Sequence, residues 1–333
     1  MIIPPGNSGR WYLVLSMTKL NYNYKLNYYR PYFLGFLILP LFGFAQLTFT
    51  KSEAGIHIKD GEESVLFYQK QTKSINGEFS RNNYIHPIHG LDGSVLTEDF
   101  PADHPHQRGV FWAWHQIFIG NTKLGDSWEC RDFSWNISDI GCSEDGDILK
   151  LMAATYWQSP LWLDQEGNQK PFLLENTTIS IYPRKSNYRI IGFEISLLAL
   201  EKNLKIGGSD DEKGYGGFSV RMKIPEDVQF TSNKGKVVPE NNAVEAGKWM
   251  NIFGSLTNKE ISSGIAILSH QDSPGDKANW ILREKESMQN CVYPGRKPVF
   301  VSTKDPTILK YSLLIYEGTM TAQDIQTIYK ELK

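Results

Sequence analysis

Cysteine is scarce in this 333-residue chain, with only 3 present: Cys130, Cys142 and Cys291. An odd number cannot pair completely within one chain. No Cys-x-x-Cys or zinc-ribbon spacing occurs, which argues against a thiolate metal centre. Cys130 with Cys142 is a pairing that export would allow. A surplus of basic charge is also missing. Lys+Arg number 35 against Asp+Glu 37, a formal net charge of −2, which argues against a nucleic-acid binder. No apolar run is long enough for a spanning helix, which takes about 20 residues. There is no internal repeat and no low-complexity segment. Gly-x-Ser-x-Gly, Walker, dinucleotide and His-Glu-x-x-His motifs are all absent, so the common serine-esterase, nucleotide and zinc-protease chemistries have no support.

Acidic residues are missing from the whole N-terminal stretch before Glu53. That stretch carries Arg10, Lys19, Lys25 and Arg30, then a mostly apolar run over 32–44 that contains Pro40, then Ala45. Basic, apolar and small residues in that order read as an export signal over 1–45, with 1–16 as an upstream extension before Met17. The expected location is periplasmic or secreted, with no stable membrane insertion once the signal is removed. Loss of the four basic residues makes the mature chain more acidic, so anionic membranes and nucleic acid are not expected partners.

Aromatics, in contrast, reach 13%. Residues 46–333 read as one domain of strands. Segments 64–68, 109–119, 148–157, 177–182, 188–200, 217–224, 264–269, 280–283, 287–293 and 307–316 are β-branched or aromatic. Over 188–197, Ile191, Phe193, Ile195 and Leu197 alternate with other residues, as in a half-buried strand. Turn residues cluster at 144–147, 164–168 and 272–276. Only 321–333 reads as a helix, capped by Thr321. The expectation is an all-β fold, a large antiparallel β-sandwich with a short C-terminal helix.

Histidine is rare, 7 in all, but His86, His89, His104, His106 and His115 lie within thirty positions of one another. Pro105 disfavours helix at His104, and an extended segment would put His104, His106 and Arg108 on one face. Imidazoles move protons near neutral pH, and a guanidinium binds a carboxylate through paired hydrogen bonds. The expected catalytic set is therefore His104, His106, Arg108, Asp103 and Glu129. A His–Pro–His turn bonded to backbone carbonyls is the bland alternative. His86, His89, Lys213, Tyr215, Arg221 and His270 are expected to bind substrate. Trp114 and Trp128 are expected to do so by stacking on a sugar, although core packing is the ordinary fate of such rings. No cofactor is expected. A divalent metal held by His86, His89, His104 and His106 is the alternative.

The run D-F-P-A-D-H-P-H-Q-R-G-V-F-W-A-W, residues 99–114, resembles the hallmark of the bacterial family labelled "methane oxygenase PmoA". The stretches around His86–His89, residues 211–221 and residues 266–271 resemble further landmarks of that family in the same order. Residues 271–280 depart from it in lacking a second His. The resemblance implies one β-rich domain and a role among glycan-degrading bacteria, not membrane methane oxidation. The strand layout, ending in Y-S-L-L-I-Y-E-G at 311–318, is also similar to galactose-mutarotase-like supersandwiches, which bind sugars on a sheet face. Together these imply an exported enzyme acting on an oligo- or polysaccharide, a uronate-containing one among the candidates, by hydrolysis, elimination or isomerisation. Asp103 and Glu129 would form the carboxylate pair of a hydrolase. A non-catalytic sugar-binding protein and a metal-dependent oxidase or hydrolase are the alternatives.

Overall fold

The computed structural model describes residues 46–257, 261–274, 278–285 and 288–332. The expected export signal over 1–45 lies outside the described residues. Two nine-stranded antiparallel sheets dominate. The first runs, in spatial order, Leu47–Lys51, Gly55–Asp60, Glu63–Gln69, Tyr84–Ile88, Val110–Trp114, Gly216–Arg221, Met288–Val292, Asn279–Ile281 and Val244–Glu245. The second runs Ser134–Asp145, Ile148–Gln158, Leu173–Ile181, Tyr188–Ala199, Thr307–Glu317, Ser263–Ser269, Trp249–Gly254, Gln229–Ser232 and Gly235–Val237. This is the expected all-β sandwich. Among the described residues no helix is long and apolar enough to cross a membrane.

Alternation builds the core. In Tyr188–Ala199, Arg189, Ile191, Phe193, Ile195, Leu197 and Ala199 are buried and their neighbours are not. The inward residues of this strand meet inward residues of the first sheet: Phe193 packs edge-on against Phe218 with centroids 5.0 Å apart. One carboxylate sits inside this apolar layer. Glu175, 0% exposed, accepts from Asn83, Trp112, Trp157 and Thr177, each at 2.8 Å. Burial pushes its carboxyl above the ordinary range, and the four donors work against that rise.

The helix Ala322–Glu331 begins where expected. Thr321 and Asp324 close a capping box, and Ile325, Ile328 and Tyr329 pack on the outer face of the second sheet against Trp249, Leu268 and Leu314.

One expectation needs correction, and one open question is answered. The aromatic run 109–119 is not one strand. Val110–Trp114 belongs to the first sheet, while Gln116–Ile119 pairs with Leu204–Gly207 in a separate four-stranded sheet, so the chain changes sheet at His115. Cys130 and Cys142 do not pair; both are free thiols, as is Cys291.

Candidate functional site

The histidine cluster is built on the outer face of the first sheet. From Val110–Trp114, residues Val110, Trp112 and Trp114 point into the sandwich. Phe111 and Ala113 point out, into a smaller cluster with Tyr84, Trp128, Ile281 and Met288. The loop before this strand enters through Gly109, which adopts a left-handed φ of +57°. A Cβ there would lie 2.0 Å from the Ile85 carbonyl oxygen, so no side chain fits. The Gly109 amide donates to Glu98 O at 2.8 Å, and its carbonyl accepts from the Arg221 amide at 2.7 Å. That close approach explains why the run ends in Arg-Gly before its aromatic strand.

The segment His104–Gln107 is a turn, not the extended run expected. The Gln107 amide donates to His104 O at 2.9 Å, with Pro105 at the second position, where its fixed φ suits a β-turn. The imidazoles do not bond carbonyls, as the bland alternative required. His104 Nδ1 lies 2.6 Å from Asp103 Oδ2. The His106 ring stands edge-on to it, centroids 5.7 Å apart at 85°. His106 Nδ1 is 3.7 Å from Glu129 Oε2. Burial, reinforced by the charge of Arg81, pushes the His106 imidazole down to about 3, so it is neutral at neutral pH.

The two arginines lie beneath this turn. Arg221 donates to Glu98 Oε2 at 2.8 Å, to Asp103 Oδ1 at 2.8 Å and to Gln107 Oε1 at 3.1 Å. Burial would raise the Asp103 carboxyl, but hydrogen bonds from Arg221 and His104 outweigh it and hold it at about 2. Arg108, 0% exposed, donates to Asp99 Oδ1 at 2.6 Å, to Lys73 O at 3.1 Å and to the Tyr84 hydroxyl. Its guanidinium lies 3.5 Å from the Phe100 ring centroid and 4.6 Å from that of Tyr84. Both arginines were expected to reach substrate. In this structure their donors are engaged by side chains and carbonyls of the protein, Glu98, Asp99, Asp103 and Gln107 of the loop over 98–108 among them.

The tryptophans need the same correction. Trp114 is 0% exposed and donates Nε1 to Tyr293 O at 2.8 Å. Trp128 is 2% exposed, packed between Phe111, His115 and Tyr215. Neither offers a face to a sugar. Tyr215 is half-buried, accepts from Arg283 Nη2 at 2.6 Å, and has Lys213 Nζ 5.7 Å from its ring. His86 turns Nδ1 to Thr97 Oγ1 at 3.0 Å, and burial pushes it down to about 4. His89 faces Gly93 O at 2.9 Å. His270 is not part of the cluster. It borders a cleft on the outer face of the second sheet with Glu194, Lys310 and Ser312. Among the described residues no group of three or more His, Cys, Asp or Glu side chains is arranged to hold a metal ion. The structure thus brings together Asp103, His104, His106 and Glu129, with Tyr215 further along the same face.

Backbone strain marks the same place. Phe79, Phe100 and Cys130 adopt φ of +52°, +51° and +55°. Bulky residues rarely do so, and such strain costs about 1–3 kcal/mol each. All three surround the cluster. Phe79 O accepts from Arg108 and its ring is 6.4 Å from that of His106. Phe100 covers Arg108, and Cys130 interacts with Arg81.

Sequence reasoning missed Arg81 and Asp126. Arg81, buried at 1%, lies between the Phe111 and Trp135 rings and donates to Ser127 O at 2.7 Å and Trp128 O at 3.2 Å. It thereby supports the turn that carries Glu129. Asp126 Oδ1 accepts from the Glu129 amide at 2.9 Å. An Asp three residues ahead of Glu129 is a turn signal the sequence did contain.

Fold and cluster together define a two-sheet antiparallel β-sandwich with a histidine–carboxylate site on one outer sheet face. Residues 55–330 match the model of DUF6807, a family of unknown function, and the chain belongs to that family. No curated protein matches the chain.

Proposed function

We propose that this protein is an exported carbohydrate-active enzyme that moves protons with histidine, by elimination or isomerisation of a uronate-containing or otherwise modified sugar. The observation that carries the reading is the His104–His106 pair. Two imidazoles meet edge-on at 5.7 Å, each with a carboxylate at Nδ1, Asp103 at 2.6 Å and Glu129 at 3.7 Å. The carboxylate hydrogen-bonded at His104 Nδ1 sets that tautomer and leaves its Nε2 to accept or return a proton, while Glu129 lies near His106 without a hydrogen bond to it. Neutral His106 serves as base, and His104, more open to solvent, as its partner. Arg108 and Arg221 act as positioning residues. Lys213 and Tyr215 would meet the substrate's acidic end.

Two-carboxylate hydrolysis has less support, because Asp103 is tied to Arg221 and held at about 2, too acidic for the protonating role. The sugar itself rests on the resemblance to the PmoA-labelled family and to mutarotase-like sandwiches, which bind sugars on a sheet face. The test is a turnover screen on uronate-containing oligosaccharides with the wild type and His106→Ala. A fall of about a hundredfold or more is expected for the variant. Unchanged turnover removes His106 from the mechanism, and saturable binding with intact sugar identifies a binding protein instead.

A further inference from the structure

The geometry points to His115, oriented by Asp126, as an additional proton-transfer group facing the same outer surface as His106. This rests on the proton-transfer reading above and adds a residue pair to it.

His115 occupies the single position between Val110–Trp114 and Gln116–Ile119, where the chain passes from one sheet to another. It therefore lies outside both strand ladders. The following turn folds back on it: the Ser127 and Trp128 amides donate to Trp114 O at 3.0 and 3.3 Å. This places Asp126 Oδ2 2.9 Å from His115 Nδ1. The other oxygen of the same carboxylate holds the Glu129 amide. Asp126 thus orients one imidazole and fixes the backbone of the residue that faces the other. The His115 ring stacks on Trp128, centroids 5.3 Å apart at 26°. Trp128 is locked against Phe111, so the ring has a rigid wall behind it.

A purely structural histidine would use its second nitrogen or bury it. Here the side chain keeps 18% of its surface exposed, and no described residue bonds Nε2. A carboxylate at Nδ1 keeps the proton there and leaves Nε2 as the accepting nitrogen. In an elimination, Nε2 takes the proton from the carbon beside the substrate carboxylate, the C–H electron pair becomes the new C=C bond as the C–O bond to the leaving group breaks, Asp126 pairs with the transient imidazolium, and the proton passes to the leaving oxygen.

The experiment uses the full chain and diethyl pyrocarbonate, which acylates unprotonated imidazole nitrogen, with peptide mass spectrometry reading each histidine. His115 is expected to react faster than His106, whose side chain is less exposed, 10% against 18%. Asp126→Asn is expected to slow the His115 reaction about tenfold at unchanged melting temperature. An unreactive His115, or an unchanged rate in Asp126→Asn, overturns the pair. His115→Gln is then run in the uronate screen, where a loss of about a hundredfold or more is expected. Wild-type turnover that survives His115→Gln overturns the assignment. If the wild type turns over nothing, the sugar-enzyme reading fails and the acylation rates alone decide the pair.

Discussion

His106 keeps 8% of its surface exposed, and its burial has a consequence for stability. Its imidazole titrates near 3 in the folded chain and near 6.5 in the unfolded one. Between those values the unfolded state holds a proton that the folded state lacks, so stability falls as pH falls. The slope is about 1.4 kcal/mol per pH unit inside the window. Going from pH 7 to 5 is expected to cost about 2 kcal/mol through His106. His86, pushed down to about 4, adds to the same trend. Urea unfolding at a series of pH values checks this. His106→Asn should flatten the curve between pH 6 and 5 by close to one proton. A slope identical to that of the wild type would mean that His106 is not held neutral. The same desolvation keeps His106 unprotonated at neutral pH, so one physical cause sets both the stability profile and the protonation state in which the proposed chemistry begins.

At the scale of strands and turns, Gly109 is the joint between the histidine loop and the sheet. Its left-handed φ and its contact with Ile85 O predict that Gly109→Ala costs about 2–4 kcal/mol, from backbone strain plus overlap. Gly146 offers a control. Its φ is +65°, but a Cβ there meets nothing within 4 Å, so Gly146→Ala should cost only about 1 kcal/mol. Thermal melts of the two variants separate overlap from strain, and equal losses would remove the steric account. Such joints are hard to see in sequence. The alternation in Tyr188–Ala199 was legible because one face is core and the other is solvated. The break at His115 was not, because Val110–Trp114 is buried on both faces and shows no alternation against which a single His would stand out as a crossing. Ser134–Asp145 escaped notice for the opposite reason, being a sheet edge with polar residues on both faces. The concentration of histidines was legible as well. Their partners were not, since the bonds Arg221–Asp103 and Arg108–Tyr84 join residues brought together only by the tertiary fold.

Across the whole molecule, polar groups as well as apolar layers hold the two sheets together. Glu175 gathers donors from both sheets in the centre. Away from it, Asp60 of the first sheet accepts from Arg189 Nη2 of the second at 2.7 Å, with both side chains about 5% exposed. Arg189 Nη1 is buried and has no other acceptor. Burial lowers the Arg189 pKa and the Asp60 carboxylate counters it, so the guanidinium depends on that carboxylate. Asp60→Asn should therefore cost about 3–5 kcal/mol, mostly from leaving a buried cation unpaired rather than from the attraction lost. Arg189→Met alone should cost a similar amount by stranding the carboxylate. The double variant Asp60→Asn with Arg189→Met removes both charges and should recover much of either loss, because the desolvation penalty of the pair disappears with it. Urea unfolding of all four proteins closes the cycle. Additive losses would show that the pair does not couple the sheets. A recovered double variant would show that contact between the sheets is maintained by the apolar core, and that the attraction within the pair mainly offsets its own desolvation.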